Sequence, residues 1–229
     1  MIAARGTNRA DAEAGDPMPP AKNPDLHGFA PDACPVALLL IDWINDLEFE
    51  GGRRLLKPAV RAADRVAALK KRARDAGIPI IYANDNFGRW RSNFGDVVQH
   101  CLVDEVAGKP LAERLIPGPD DYFVLKPKHS AFFSTTLDTL LNYLQVERLI
   151  LTGITGDMCV LITAVDAHMR DFKIHVPRDC TASMSEAVNR EALRYMERVP
   201  HADMTPSAKL DLRRLARRAP RQKKIKRRV

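Results

Sequence analysis

From Val36 to Ile41 the chain reads Val-Ala-Leu-Leu-Leu-Ile without a polar interruption and then stops at Asp42. A strand with one face in water alternates apolar and polar residues, so an unbroken run this short predicts a strand covered on both faces, as parallel sheets require. Related runs follow at Ile78-Pro79-Ile80-Ile81-Tyr82, Tyr122 to Leu125, Leu149-Ile150-Leu151 and Lys173 to Val176. Between them the period changes. Val60, Ala63, Ala67 and Ala73 recur at helical spacing from a start near Pro58 to a stop at Gly77, and Asp96 to Glu105 reads as a short helix. Leu137, Leu140, Leu141 and Leu144 form one face of a helix capped by Ser134 or Thr135. Val160, Thr163, Ala164, Ala167 and His168 mark the next helix, and Ser185 caps another through Val188, Ala192, Leu193 and Met196 to about Val199. Strand alternating with helix predicts the α/β class, a three-layer αβα architecture, Rossmann-type and doubly wound, around a central, mainly parallel sheet of about six strands.

Composition bears on what surrounds this body. Residues 1–32, rich in Ala, Pro, Asp and Gly, read as a flexible arm, 33–206 as the folded domain, and 207–229 as a basic, disordered tail. The net charge is +7, but from Lys209 onward eleven Lys and Arg face a single Asp, so the basic character belongs to the tail. Arg213, Arg214, Arg217, Arg218, Arg221, Lys223, Lys224, Lys226, Arg227 and Arg228 would neutralise phosphates in a salt-dependent manner. No aromatic residue interleaves with them for base stacking, so nucleic-acid or polyanion binding is an accessory reading of a different class. The four cysteines, Cys34, Cys101, Cys159 and Cys180, form no Cys-x-x-Cys pair and predict neither a disulfide framework nor a zinc site. There is no apolar run long enough to cross a bilayer and no signal-peptide core, so the expectation is a cytoplasmic protein without a membrane partner.

Open parallel sheets place their sites at the carboxyl ends of their strands. Three unusual residues stand at such ends: Asp42 after the first strand, Lys126 after the third, and Cys159 after the fourth. Around Cys159 the sequence Thr152-Gly153-Ile154-Thr155-Gly156 reads as a strand broken into a sharp glycine turn, with the cysteine in the first turn of the following helix, where the helix dipole favours a thiolate. A lone cysteine there also suits a buried packing role; convergence with Asp42 and Lys126 is what would make it chemical.

The blocks LLLIDWINDL, VLKPKHSAFFSTTLDTLL and LILTGITGDMCVLITAVDAHMRDFKIHVPRDCTAS, in this order, resemble the three signature blocks of the isochorismatase-like cysteine hydrolases over roughly Pro35 to Val199. The resemblance implies that 33–206 is an isochorismatase-like hydrolase domain, a homo-oligomer acting on a small-molecule substrate. It makes Cys159 the nucleophile, Asp42 the base that takes its proton, and Lys126 the cation that holds the site together, Lys126 rather than Lys128 by its spacing to Ser130. It also implies an oxyanion hole from the backbone N–H groups of Thr155 and Cys159, with a cis peptide between Ile154 and Thr155. The reaction implied is attack on a carbonyl, departure of an amine or ammonia, and hydrolysis of the thioester by water, at a C–N bond of an amide, ureide or carbamoyl compound. Vinyl-ether hydrolysis of isochorismate is the alternative within the family, disfavoured by Cys159 because that branch manages without the cysteine.

The first block departs from the family pattern: Ile44 stands where a polar Gln is usual, and Leu47 where an aromatic commonly lines the pocket. After the second strand the sequence is Asn84-Asp85-Asn86-Phe87, without the Asp-x-His by which nicotinamidases of this family bind a metal; the expectation is no metal, no cofactor and not a nicotinamidase. Loop position nominates Asn84, Arg89, Trp90, His129 and Phe132 for the substrate pocket. His168, Asp166 and Asp179-Cys180 read as structural.

Overall fold

The computed structural model describes residues 33–86 and 93–217. The proposed arm 1–32, the loop with Arg89 and Trp90, and the tail beyond 217 lie outside the described residues.

Among the described residues six strands, all parallel, make one sheet: β1 (Val36–Ile41), β2 (Ile80–Asp85), β3 (Tyr122–Lys126), β4 (Arg148–Ile154), β5 (Lys173–His175) and the two-residue β6 (Thr181–Ala182). Their order is β3-β2-β1-β4-β5, and β6 pairs with the end of β4 beyond β5. Every residue of β1 is buried, which accounts for the absence of alternation in its sequence. One face of β1, Val36, Leu38 and Leu40, joins a core with α1 (Gly52–Asp75), α2 (Phe94–Val103) and α3 (Lys109–Arg114). The other face, Ala37, Leu39 and Ile41, is equally buried, as are the apolar stripes of α4 (Leu137–Tyr143) and α5 (Leu161–His168). Helices α6 (Glu186–Arg198) and α7 (Leu212–Ala216) complete the set.

Several boundaries differ from the sequence reading. The first helix begins at Gly52, so that Pro58 lies inside it; the Gly51-Gly52 pair resembles a loop, yet buried Leu55 already belongs to the inner face. Strand β4 does not break at Thr152-Gly153 but continues to Ile154. Gly153 is there for close approach and not for a turn: a Cβ would stand 2.6 Å from the Ile41 carbonyl oxygen and 3.0 Å from Val160 Cγ2. Segment 207–217, read as the start of the disordered tail, packs on α1, because Leu210 and Leu212 are apolar anchors among the charges. Arg72 donates to the carbonyls of Ser207 and Leu210 at 2.8 and 2.6 Å, and Asp211 caps α7 by accepting from the Arg214 N–H. Among the described residues no helix is long and apolar enough to cross a membrane.

Candidate active site

The strand order decides which chain ends meet. β3, β2, β1 and β4 are neighbours, so their carboxyl ends put Lys126, Asp85, Asp42 and the segment after Ile154 side by side, at the point where the chain switches direction across the sheet. Asp42 adopts a left-handed backbone (φ 53°), which a β-strand residue avoids but Asp tolerates better than most. Its N–H donates to the Ala83 carbonyl at 3.0 Å, and its Oδ1 accepts the Asp85 N–H at 2.7 Å. Asp85 and Lys126 are register partners across β2 and β3.

The Lys126 side chain is fully buried. Its ammonium lies 2.9 Å from Asp42 Oδ2, 3.6 Å from Asp85 Oδ2 and 3.6 Å from Cys159 Sγ, and donates to the carbonyl of Lys128 at 3.3 Å. Lys128 thus contributes its backbone, not its charge. Cys159 sits on a π-helical turn, Gly156–Val160, closed by the Val160 N–H to the Thr155 carbonyl at 3.2 Å, and not on the first turn of an α-helix, which begins only at Leu161. Such turns aim side chains that a regular helix would point elsewhere. The turn is backed by Ser183, whose Oγ accepts the Asp157 N–H at 3.2 Å, and by Asn189, which leaves no room for a side chain on Gly156. The peptide bond between Ile154 and Thr155 is cis.

Electrostatics in this cluster follow from burial. Burial pushes the Cys159 thiol up to about 12, the Asp42 carboxylate adds to the effect, and Lys126 only partly offsets it. The thiolate expected from a helix dipole is therefore not the resting form. Burial likewise raises the Asp42 carboxyl above its ordinary value, against the pull of Lys126, Cys159 and the Asp85 N–H. Burial disfavours the charge on Lys126, but Asp42, Cys159 and Asp85 outweigh it and keep the ammonium protonated. A thiol that keeps its proton, touching a carboxylate of raised basicity beside a fixed cation, can pass that proton to the carboxylate when an electrophile arrives.

Cys159 opens onto a cavity of about 590 Å³ whose wall also carries Asp42, Asp85, His129, Thr155 and Asp157. Of the nominated pocket residues that are described (Asn84, His129 and Phe132), His129 is found there, with Nδ1 3.8 Å from Cys159 Sγ. Asn84 is fully buried and donates to the Ile44 carbonyl, fixing the β1 loop instead of facing substrate. Phe132 stacks on Phe172, with Arg170 over its ring, away from the cavity. Leu47 and Ile44 are both buried, and the aromatic of this loop that lines the cavity is Phe49, two residues on from the position where the sequence suggested a loss. Asp85 went unassigned in the sequence, although a carboxylate beside a strand-end lysine was a signal available from strand register. Asp166 accepts from Ser130, and Asp179 from the Ser207 N–H and hydroxyl, in structural roles. Among the described residues no group of three or more His, Cys, Asp and Glu side chains is arranged to hold a metal ion.

The isochorismatase domain model matches residues 36–207. The chain is 44% identical over 169 residues to the uncharacterised isochorismatase family protein YaaI of Bacillus subtilis, covering 74% of this chain and 92% of that protein. It is 32% identical over 150 residues to the maleamate amidohydrolase of Pseudomonas putida, covering 63% of this chain and 70% of the relative. Among solved structures, N-carbamoylsarcosine amidase from Thermoplasma acidophilum superposes with a TM-score of 0.60 at 25% identity, covering 77% of this chain and 98% of that one. The matched segment holds the whole sheet and all the residues that meet at Lys126, and on that ground the chain belongs to the isochorismatase family of hydrolases.

Proposed function

We propose that this hydrolase cleaves the C–N bond of a small amide, ureide or carbamoyl compound through a thioester on Cys159. The observation that carries the reading is the Asp42–Lys126–Cys159 cluster on an open cavity wall, with the ammonium 2.9 Å from the carboxylate and 3.6 Å from the sulfur. Two of the relatives, an amidohydrolase and an amidase by name, support the bond type.

In this mechanism Cys159 Sγ attacks the substrate carbonyl carbon while its proton passes to Asp42. Lys126 holds Asp42 in place and stabilises the negative charge shared between sulfur and carboxylate. The backbone N–H groups of Thr155 and Cys159 receive the carbonyl oxygen as it becomes an oxyanion, a contribution of roughly 2.7–4 kcal/mol per donor in comparable sites. Collapse breaks the C–N bond, and Asp42 returns the proton to the departing nitrogen. Asp42 then takes a proton from water, which attacks the thioester, and the thiol is restored.

The test is a screen of small amides, ureides and carbamoyl compounds with wild type and Cys159→Ala. A substrate cleaved by wild type is expected to lose at least ~10³-fold in turnover in the variant. Full turnover by Cys159→Ala would sink the proposal.

A further inference from the structure

Among the described residues thirteen large apolar side chains are exposed, and four of them line one concavity. Phe49, Met158, Met184 and Val188 are 41–43% exposed, and all four stand on the wall of the cavity that holds Cys159, with buried Leu55 and Ile154 between them. They come from four separate segments: the loop after β1, the π-helical turn, the link between β6 and α6, and the first turn of α6. Convergence of such side chains from distant segments onto one concavity is the mark of a ligand surface, since each would cost less if turned inward or replaced by a polar residue.

The rest of the wall is arranged differently. Asp42 and His129 stand beside the Cys159 sulfur, and Asp85 shares the wall with them. An amide group placed at Cys159 leaves the remainder of its molecule against the four apolar side chains. The cavity, about 590 Å³, lies in the middle of the range for drug-sized ligands and is far larger than a carboxamide group needs. Two of the four are methionines, whose flexible and polarizable side chains fit flat rings and alkyl chains alike.

Resting on the C–N hydrolase reading, we infer that the substrate is an amide with an uncharged apolar body, an alkyl chain or an aromatic ring, seated against Phe49, Met158, Met184 and Val188. The apolar body supplies binding energy remote from the scissile bond, which the site uses to hold the carbonyl at Cys159.

The experiment compares acetamide, butyramide, hexanamide and phenylacetamide as substrates of the full chain. Each added methylene is expected to raise kcat/KM by roughly four-fold until the apolar wall is covered. Met184→Ser and Val188→Ser are expected to lower the hexanamide-to-acetamide ratio, a readout taken within one preparation and so independent of how much of it is folded. A flat or falling series, or ratios unchanged in both variants, overturns the inference. Protection of Cys159 from iodoacetamide by the same amides reads binding without turnover. If no amide is hydrolysed but protection tightens with chain length, the apolar subsite stands and cleavage of amides fails; protection independent of length, with no turnover, overturns the subsite as well.

Discussion

Among the described residues two lysines are buried, each paired with an aspartate at 2.9 Å, and their surroundings differ. Lys126 meets Asp42 at the cavity wall; Lys70 meets Asp121 under α1. At Lys70 every partner is spoken for: the ammonium also donates to Tyr82 Oη and the Ile116 carbonyl, Tyr82 donates to Leu115, and Asp121 accepts from Arg74 and the Gly118 N–H. Both ammonium groups also donate to a backbone carbonyl, but at Lys126 the second carboxylate, Asp85, is partly exposed, and a thiol stands where Lys70 has the Tyr82 hydroxyl. The protonation shifts diverge accordingly. Burial opposes ionisation of Asp121, but the Gly118 N–H, Lys70 and Arg74 hold its carboxyl below the ordinary value, whereas burial lifts Asp42 above it. A buried ion pair is therefore no sign of catalysis in itself. What separates the two is an unfinished set of partners facing a cavity.

Substitutions at the two pairs should separate function from stability. At the open pair, Asp42→Asn removes the proton acceptor without changing shape and is expected to lower kcat/KM by roughly 10²–10⁴-fold, measured on any substrate found in the screen. At the closed pair, Lys70→Met leaves Asp121 buried with only Arg74 for charge, and is expected to cost about 3–5 kcal/mol in urea unfolding while kcat of the folded fraction stays as in wild type. A loss of kcat in Lys70→Met at full folding would break the distinction.

The pH dependence sharpens it further, because the signs are opposite. Asp121 has a folded pKa below its unfolded value of 3.8, so its contribution is present above that value and is lost as pH falls through the folded pKa. Asp42 has a folded pKa above 3.8, so its ionisation subtracts stability as pH rises from 3.8 to the folded value. Thermal denaturation followed from neutral pH down through about pH 3 should show Asp121→Asn with a shallower acid loss than wild type, and Asp42→Asn with a steeper one. A smaller effect is expected at Asp85: its side chain is 36% exposed, 3.6 Å from Lys126, and Asp85→Asn should lower kcat/KM by less than Asp42→Asn does.

How much of this was legible in the sequence follows from which forces are local. The unbroken run Val36–Ile41 announced a doubly covered strand because both faces of β1 are buried, and the alternation with helices gave the layer order. The strand-end residues Asp42, Lys126 and Cys159 could be nominated because parallel strands bring their carboxyl ends to one edge. What failed depended on long-range packing. Gly153 reads as a turn residue, but it lacks a side chain because β1 lies against it, a fact invisible without Ile41 beside it. The thiolate expected from helix position gives way to a thiol, since Cys159 lies on a π-helical turn and burial together with Asp42 outweighs Lys126. Asn84 was nominated by its neighbourhood and is buried, while the apolar wall of Phe49, Met158, Met184 and Val188 comes from residues up to 139 positions apart and carries no motif.

The claim that Asp42 activates Cys159 is tested most directly by the rate of iodoacetamide alkylation as a function of pH, read by peptide mass spectrometry in wild type and Asp42→Asn. Cys159 should react ahead of buried Cys34, Cys101 and Cys180. Its rate should rise along the ionisation of Asp42, and in Asp42→Asn it should fall by roughly 10²-fold and lose that rise. An alkylation profile unchanged by Asp42→Asn, or a Cys159 no more reactive than the three buried cysteines, would contradict the account.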